Sequence, residues 1–267
     1  ALLEQAECLM ASDSERARQN VEQAVQRAKA ETRHPNKTVQ ILLDFCRRAF
    51  FTAPDLAQRT AEAALALLER HSPESGEVAR ALLALGFVFQ LREDLERAQR
   101  CYERALKISE AINPNSTETA VALQALGIVF YLREDLAQAQ RYYERALRIY
   151  EALNPTSIGT AFILISLGSV CQNRGDLAQA QQYYERALRI YETLNPTSMG
   201  TALTLSSLGL VYLEQGDLAQ AQRYYERALR IYETLNPNSV EAAGALSGLG
   251  WAFWSQGDLE QAQRCYE

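Results

Sequence analysis

One interval, 41 residues, runs through most of this chain and rules out most folds for it. Asn-Pro falls at Asn113, Asn154, Asn195 and Asn236, and a Tyr-Glu pair begins at Tyr102, Tyr143, Tyr184, Tyr225 and Tyr266, each 41 residues after the last. Self-similarity at a fixed period of about 20 to 50 residues marks a solenoid, whose units bury their apolar faces only against their neighbours. A length of 267 residues would overfill one compact core. A stack of repeats has no such ceiling.

Within one repeat the punctuation predicts two helices. Ser157 and its counterparts Ser75, Ser116, Ser198 and Ser239 are placed to accept hydrogen bonds from the first free N–H groups of a helix. After Ser157, the residues Ala161, Leu164, Ile165, Leu167, Gly168 and Cys171 recur at helical three- and four-residue steps. Gly175 supplies a left-handed turn, and Asp176 with Gln179 reads as a capping box that opens a second helix. On that helix Leu177, Ala180, Tyr184, Ala187, Tyr191 and Leu194 form one stripe, and Tyr183 and Ile190 start another. Two stripes suit a helix packed on both sides. Asn195 ends it, because Pro196 disfavours helical geometry in the residue before it.

These residues resemble the tetratricopeptide repeat. Its Leu-Gly element is present at Leu85-Gly86, Leu126-Gly127, Leu167-Gly168, Leu208-Gly209 and Leu249-Gly250. Its following aromatic is Phe89, Phe130, Tyr212 and Phe253, with Cys171 as the exception. Its first small residue is Ala98, Ala139, Ala180, Ala221 and Ala262, and its second is Ala105, Ala146, Ala187 and Ala228. Glu93 and Glu134 stand where the turn glycine is expected, which costs about 1 kcal/mol each if they take left-handed geometry. The period exceeds the usual 34 residues by about two helical turns, placed at the end of the second helix. In that respect the chain is similar to the long-repeat variety of kinesin light chains and of many bacterial signalling proteins. The resemblance implies an all-α fold: an α-solenoid, a right-handed superhelix of stacked antiparallel helix pairs, with about fourteen helices and no sheet.

Five such repeats cover residues 72 to 267, the last truncated, and residues 1 to 71 carry degenerate copies read as an N-terminal cap. There Ala17, Val21 and Ala24 take the Ala, Tyr and Ala positions. A helix from about Asn36 carries Val39, Leu42, Leu43, Cys46, Ala49 and Phe50 on its apolar face, and another opens at Pro54 and runs to about Arg70. The chain lacks an initiator Met and halts at Glu267 within a helical stripe. The expectation is a fragment whose natural chain continues, or an end that self-associates or pairs with another surface.

Composition narrows the classes of partner. A net charge of −6 and a pI near 5.2 argue against nucleic acid, and no apolar run reaches the roughly 18 residues of a membrane span. Cys8, Cys46, Cys101, Cys171 and Cys265 are odd in number and never in a Cys-x-x-Cys pair, which fits a reduced, cytoplasmic setting. The search for chemistry yields no catalytic residue, no metal site and no cofactor. The only histidines, His34 and His71, read as surface or loop residues, and Cys171 occupies a packing position. Asp94, Asp135, Asp176, Asp217 and Asp258 read as helix caps. Glu144 with Arg148, Glu185 with Arg189 and Glu226 with Arg230 read as a solvated face of i,i+4 pairs.

The resemblance further implies that the first helix of each pair lines a concave groove. The candidate partner-binding residues are Phe87, Ile128, Tyr131, Ile165, Leu210, Leu213, Trp251 and Trp254. Gln90, Gln124, Ser169, Gln172, Ser206 and Ser247 also fall on inward positions. The groove lacks the Lys and Asn residues with which chaperone-binding relatives hold a C-terminal carboxylate. It also lacks the asparagines of kinesin light chains, which are replaced by Ala125, Ser166, Ser207 and Gly248. The function expected is a non-catalytic scaffold that binds a protein or peptide segment in an apolar groove. The alternative is the sensor arm of a larger bacterial signalling enzyme, a caspase-like peptidase or a signalling NTPase. Trp251 and Trp254 stand as partner anchors or as packing for a following repeat.

Overall fold

The computed structural model describes residues 2–10, 14–30 and 35–267, apart from the side chains at 14, 29, 35 and 36; His34 lies outside them. The described residues form fourteen helices and no strand. They run in pairs: α1 (Leu2–Leu9) with α2 (Ser14–Ala30), α3 (Pro35–Ala49) with α4 (Pro54–His71), α5 (Gly76–Leu91) with α6 (Leu95–Ile112), and α7 (Thr117–Leu132) with α8 (Leu136–Leu153). Then come α9 (Ile158–Asn173) with α10 (Leu177–Leu194), α11 (Met199–Gln215) with α12 (Leu218–Leu235), and α13 (Val240–Gln256) with α14 (Leu259–Tyr266). The chain divides into two compact units between Ile149 and Tyr150, inside α8. Within each unit pairs stack consecutively, α4 on α5 and α6 on α7 in the first, α10 on α11 and α12 on α13 in the second. Among the described residues no helix is long and apolar enough to cross a membrane.

The caps are where the serines and aspartates predicted them. Ser75, Ser116, Ser157, Ser198 and Ser239 each accept from the backbone N–H three residues on, as Thr160 N does to Ser157 Oγ at 3.1 Å. Asp94, Asp135, Asp176, Asp217 and Asp258 do the same for the second helices. The Asn-Pro turn closes on itself, with Thr156 N donating to Asn154 Oδ1 at 3.1 Å and Thr160 Oγ1 to the Asn154 carbonyl at 2.8 Å. Glu93 and Glu134 adopt φ of 61° and 62°, the left-handed conformation that Gly175 takes at 79°. The extra residues of the long period lie where expected, because α6, α8, α10 and α12 each run 18 residues up to the Asn.

The Leu-Gly glycine has a single physical reason, the tyrosine of the second helix. A Cβ on Gly168 would sit 2.6 Å from Tyr184 Cε1, so the ring lies flat on bare backbone. Gly86 with Tyr102, Gly127 with Tyr143 and Gly209 with Tyr225 repeat the arrangement. A second set of close approaches links two of the pairs to the next. Tyr150 rests on Gly159 and Tyr191 on Gly200. Where the glycine is replaced by Glu118 or Glu241, the tyrosine position holds Ser109, or holds Tyr232 with its hydroxyl turned towards Ser206 at 3.5 Å. Ala161, Leu164, Leu167, Ala180, Ala187 and Leu188 complete the buried core of one repeat, and Leu177 is only half-buried. Leu194 departs from the predicted stripe and is exposed, because the helix has by then run past its neighbours into the Asn-Pro turn.

The degenerate N-terminal pairs follow the same logic. Ala17 and Val21 are buried, Ala24 half so, and Phe45 joins Leu42, Cys46 and Ala49 in the core of α3. Pro54 opens α4 at its first turn, where its missing N–H has no partner to lose.

Candidate functional site

The first helices of successive pairs touch one another, α3 on α5 and α5 on α7 in one unit, α11 on α13 in the other. Their remaining face is therefore a continuous strip of side chains from neighbouring repeats. Its charge is unlike that of the second helices. Together α9, α11 and α13 contain no Lys or Arg and two carboxylates, Glu214 and Glu241. By contrast α10 and α12 carry repeated Arg and Glu. Several of its hydroxyls are already engaged. The hydroxyls of Ser166, Ser169 and Ser207 each donate to the carbonyl four residues back, at 3.0, 3.1 and 3.0 Å.

Of the eight residues expected to face a partner, three are open to solvent. Leu210, Trp251 and Trp254 are 41%, 51% and 54% exposed. The indole rings of Trp251 and Trp254 lie beside each other, centroids 5.1 Å apart and tilted by 36°. Ile165 and Leu213 are half-buried against the core of the second unit, which limits them to lining the base of the strip. Ile128 and Tyr131 are half-buried too. Phe87 is covered by a local aromatic group instead: Phe50 meets it edge-on at 4.8 Å and Phe51 at 6.0 Å. Two glutamines on inward positions are tied to core tyrosines. Tyr102 Oη donates to Gln90 Oε1 and Tyr184 Oη to Gln172 Oε1, both at 3.1 Å. Gln172 Nε2 in turn donates to Glu214 Oε1 of the next repeat at 3.0 Å.

The apolar face extends a turn beyond the residues expected from the sequence. Phe162 and Leu203, at 39% and 40% exposure, extend the apolar strip towards the helix N-termini, and Ile158, Met199 and Val240 continue it to the caps. They stand seven and eleven residues before Ser169, Leu210 and Trp251, a helical step that the pattern already contained. Glu214 was also missed. Its charge and burial of the ring push the Tyr225 hydroxyl up to about 12, burial being the larger cause.

The opposite face is held by ion pairs that local spacing did not reveal. Arg104 meets Glu69 at 2.6 Å and Arg145 meets Glu110 at 2.5 Å in the first unit. Arg186 meets Glu151 at 2.5 Å and Arg227 meets Glu192 at 2.6 Å in the second. Each joins second helices of neighbouring repeats. The expected i,i+4 pairs are looser: Glu226 and Arg230 are 3.9 Å apart, Arg148 donates to the Glu144 carbonyl, and Glu185 takes its bond from Gln181. Being about half exposed, these pairs each contribute about 0.2–1 kcal/mol.

Elsewhere the titratable groups are arranged for packing. Cys171 is buried at its aromatic position and His71 is exposed at the end of α4. Burial pushes the thiols of Cys46 and Cys101 up to about 12 and about 11, away from the reactive thiolate form. Among the described residues no three His, Cys, Asp or Glu side chains converge as metal ligands. A cleft of about 960 Å³ opens between α2 and α4, lined in part by Gln19, Glu22, Arg59 and Glu62, but its Arg59 is already paired with Glu22.

A sequence profile of the tetratricopeptide repeat family matches residues 77–152, 159–234 and 200–267. None of the curated proteins matches the chain. Among solved structures, BtubC (BKLC) from P. vanneervenii aligns with a TM-score of 0.67 and 23% identity, over 82% of this chain and 87% of that one. The apo form of RapI aligns with a TM-score of 0.72 and 14% identity, over 99% and 93%. The nearly identical repeats of a putative kinesin light chain from Podosopora anserina give 0.66 and 14%, over 78% and 100%. At these identities the likeness concerns the fold.

Proposed function

Since the chain belongs to the tetratricopeptide repeat family, we propose that it is a non-catalytic scaffold that holds a protein or peptide segment on the first-helix face of its C-terminal unit. The observation that carries this reading is the exposure of Trp251 and Trp254, the only tryptophans of the chain, side by side on a strip almost without charge. Exposed apolar strips favour association, and tryptophan is enriched where binding energy concentrates. Leu210, Phe162 and Leu203 widen the contact, with Leu213 and Ile165 at its base. Phe87, Ile128 and Tyr131 supply the corresponding, more covered surface of the N-terminal unit.

The test uses peptides selected from a random display library on the full chain. Their affinity for Trp251→Ala/Trp254→Ala should fall roughly 30-fold or more, equivalent to about 2 kcal/mol, with an unchanged melting temperature. Arg189→Ala/Arg230→Ala, on the second helices, should leave affinity unaltered. Equal binding by the tryptophan variant, or a melt lowered enough to explain the loss, assigns the rings to the scaffold and overturns the reading.

A further inference from the structure

Within this reading, and resting on it, the charge of the strip specifies the occupant further. Its two carboxylates face no cation on their own helices, because α9, α11 and α13 hold no Lys or Arg. Glu214 lies in the last turn of α11, where the helix already ends in partial negative charge and an acid is unfavourable for the fold. The equivalent positions of the other repeats are Leu91, Leu132, Asn173 and Ser255, so neither the repeat nor its packing asks for an acid there. The Gln172 amide uses its oxygen on Tyr184 and its nitrogen on Glu214, and the hydroxyls of Ser166 and Ser207 donate to carbonyls of their own helices. A carboxylate accepts about four hydrogen bonds, and the Gln172 amide supplies one. The helix α13, which packs against α11, carries two exposed indole rings, and ring faces attract cations.

We infer that the segment bound on this face is apolar and carries a basic side chain, Lys or Arg, that pairs with Glu214 while its apolar residues cover Leu210, Leu213, Trp251 and Trp254. An acidic segment is disfavoured at the same place by the Glu214 carboxylate and by the helix C-termini. The partner is thereby a protein segment of defined character, hydrophobic with a positive charge.

A random peptide display library panned on the full chain tests this. Peptides selected on the unaltered protein should be rich in apolar residues and in Lys or Arg, and poor in Asp and Glu. A selected peptide should bind Glu214→Lys roughly tenfold or more weakly. Its counterpart with the basic residue changed to Glu should recover affinity on Glu214→Lys, a rescue that loss of folding could not produce. Selected peptides that are acidic, or indifferent to Glu214→Lys, overturn the inference. If such peptides still lose affinity on Trp251→Ala/Trp254→Ala, the apolar face stands and only the charge assignment falls. If they are indifferent to both variants, or if nothing is enriched, the face itself is wrong.

Discussion

Glycine and tyrosine together set the distance between helices in this protein. The ring of Tyr184 lies against Gly168 closely enough that a methyl group would displace it. Gly168→Ala should therefore destabilise by about 1–3 kcal/mol, since the buried ring has no free space to retreat into. Gly244 is also helical but has nothing within 4 Å of where a Cβ would go. Gly244→Ala should stabilise by about 0.5–1 kcal/mol through the gain in helix propensity. Denaturant melts of the two variants check this, and losses of the same sign and size would mean the helix phase is misassigned. The Leu-Gly position was legible from its recurrence. The second contact, Tyr150 on Gly159, was not, because it shows only as a correlated change between repeats. Tyr and Gly occur together at 150/159 and 191/200 and Ser109 goes with Glu118, but Tyr232 stands with Glu241 and blurs the correlation.

At the scale of the helix, caps and stripes were legible because they depend on neighbours three or four residues away. The pairings between repeats were not. The four-residue spacing singles out Arg189 with Glu185, yet the ion pair to the neighbouring repeat is made by Arg186, with Glu151 on the preceding second helix. The packing of second helices through buried tyrosines also predicts how the pairs separate in alkali. Burial holds Tyr225 up to about 12 and Tyr102 well above the usual value near 10, and it lifts Cys101 to about 11 from 9.0. Because the folded state favours the protonated forms, it retains protons that the unfolded chain releases. Stability is thus intact below about pH 9 and falls as pH rises from there through about 12. Tyrosinate absorbance should rise in two stages, exposed rings first and core rings together with loss of helical circular dichroism. A single ionisation near pH 10 with the helices intact would contradict this account of the core.

Over the whole molecule, a solenoid has no interior site, so function must lie on a face. Sequence periodicity alone distinguished the two kinds of helix, and the nearly uncharged α9, α11 and α13 contrast with the charged α10 and α12. The two tryptophans stand out in the sequence because they are the only ones and lie three residues apart. Glu214 escaped because a single acid at a helix end has no pattern until its neighbours are known to be uncharged. The same two rings provide the most direct measurement, since all tryptophan emission from this protein arises on the proposed face. In the free protein that emission should be readily quenched by acrylamide, as expected of rings about half exposed. With a selected peptide bound, it should shift to shorter wavelength and lose most of its sensitivity to the quencher. Unchanged emission and quenching, with the labelled peptide shown by anisotropy to be fully bound, would place the partner elsewhere and contradict the account.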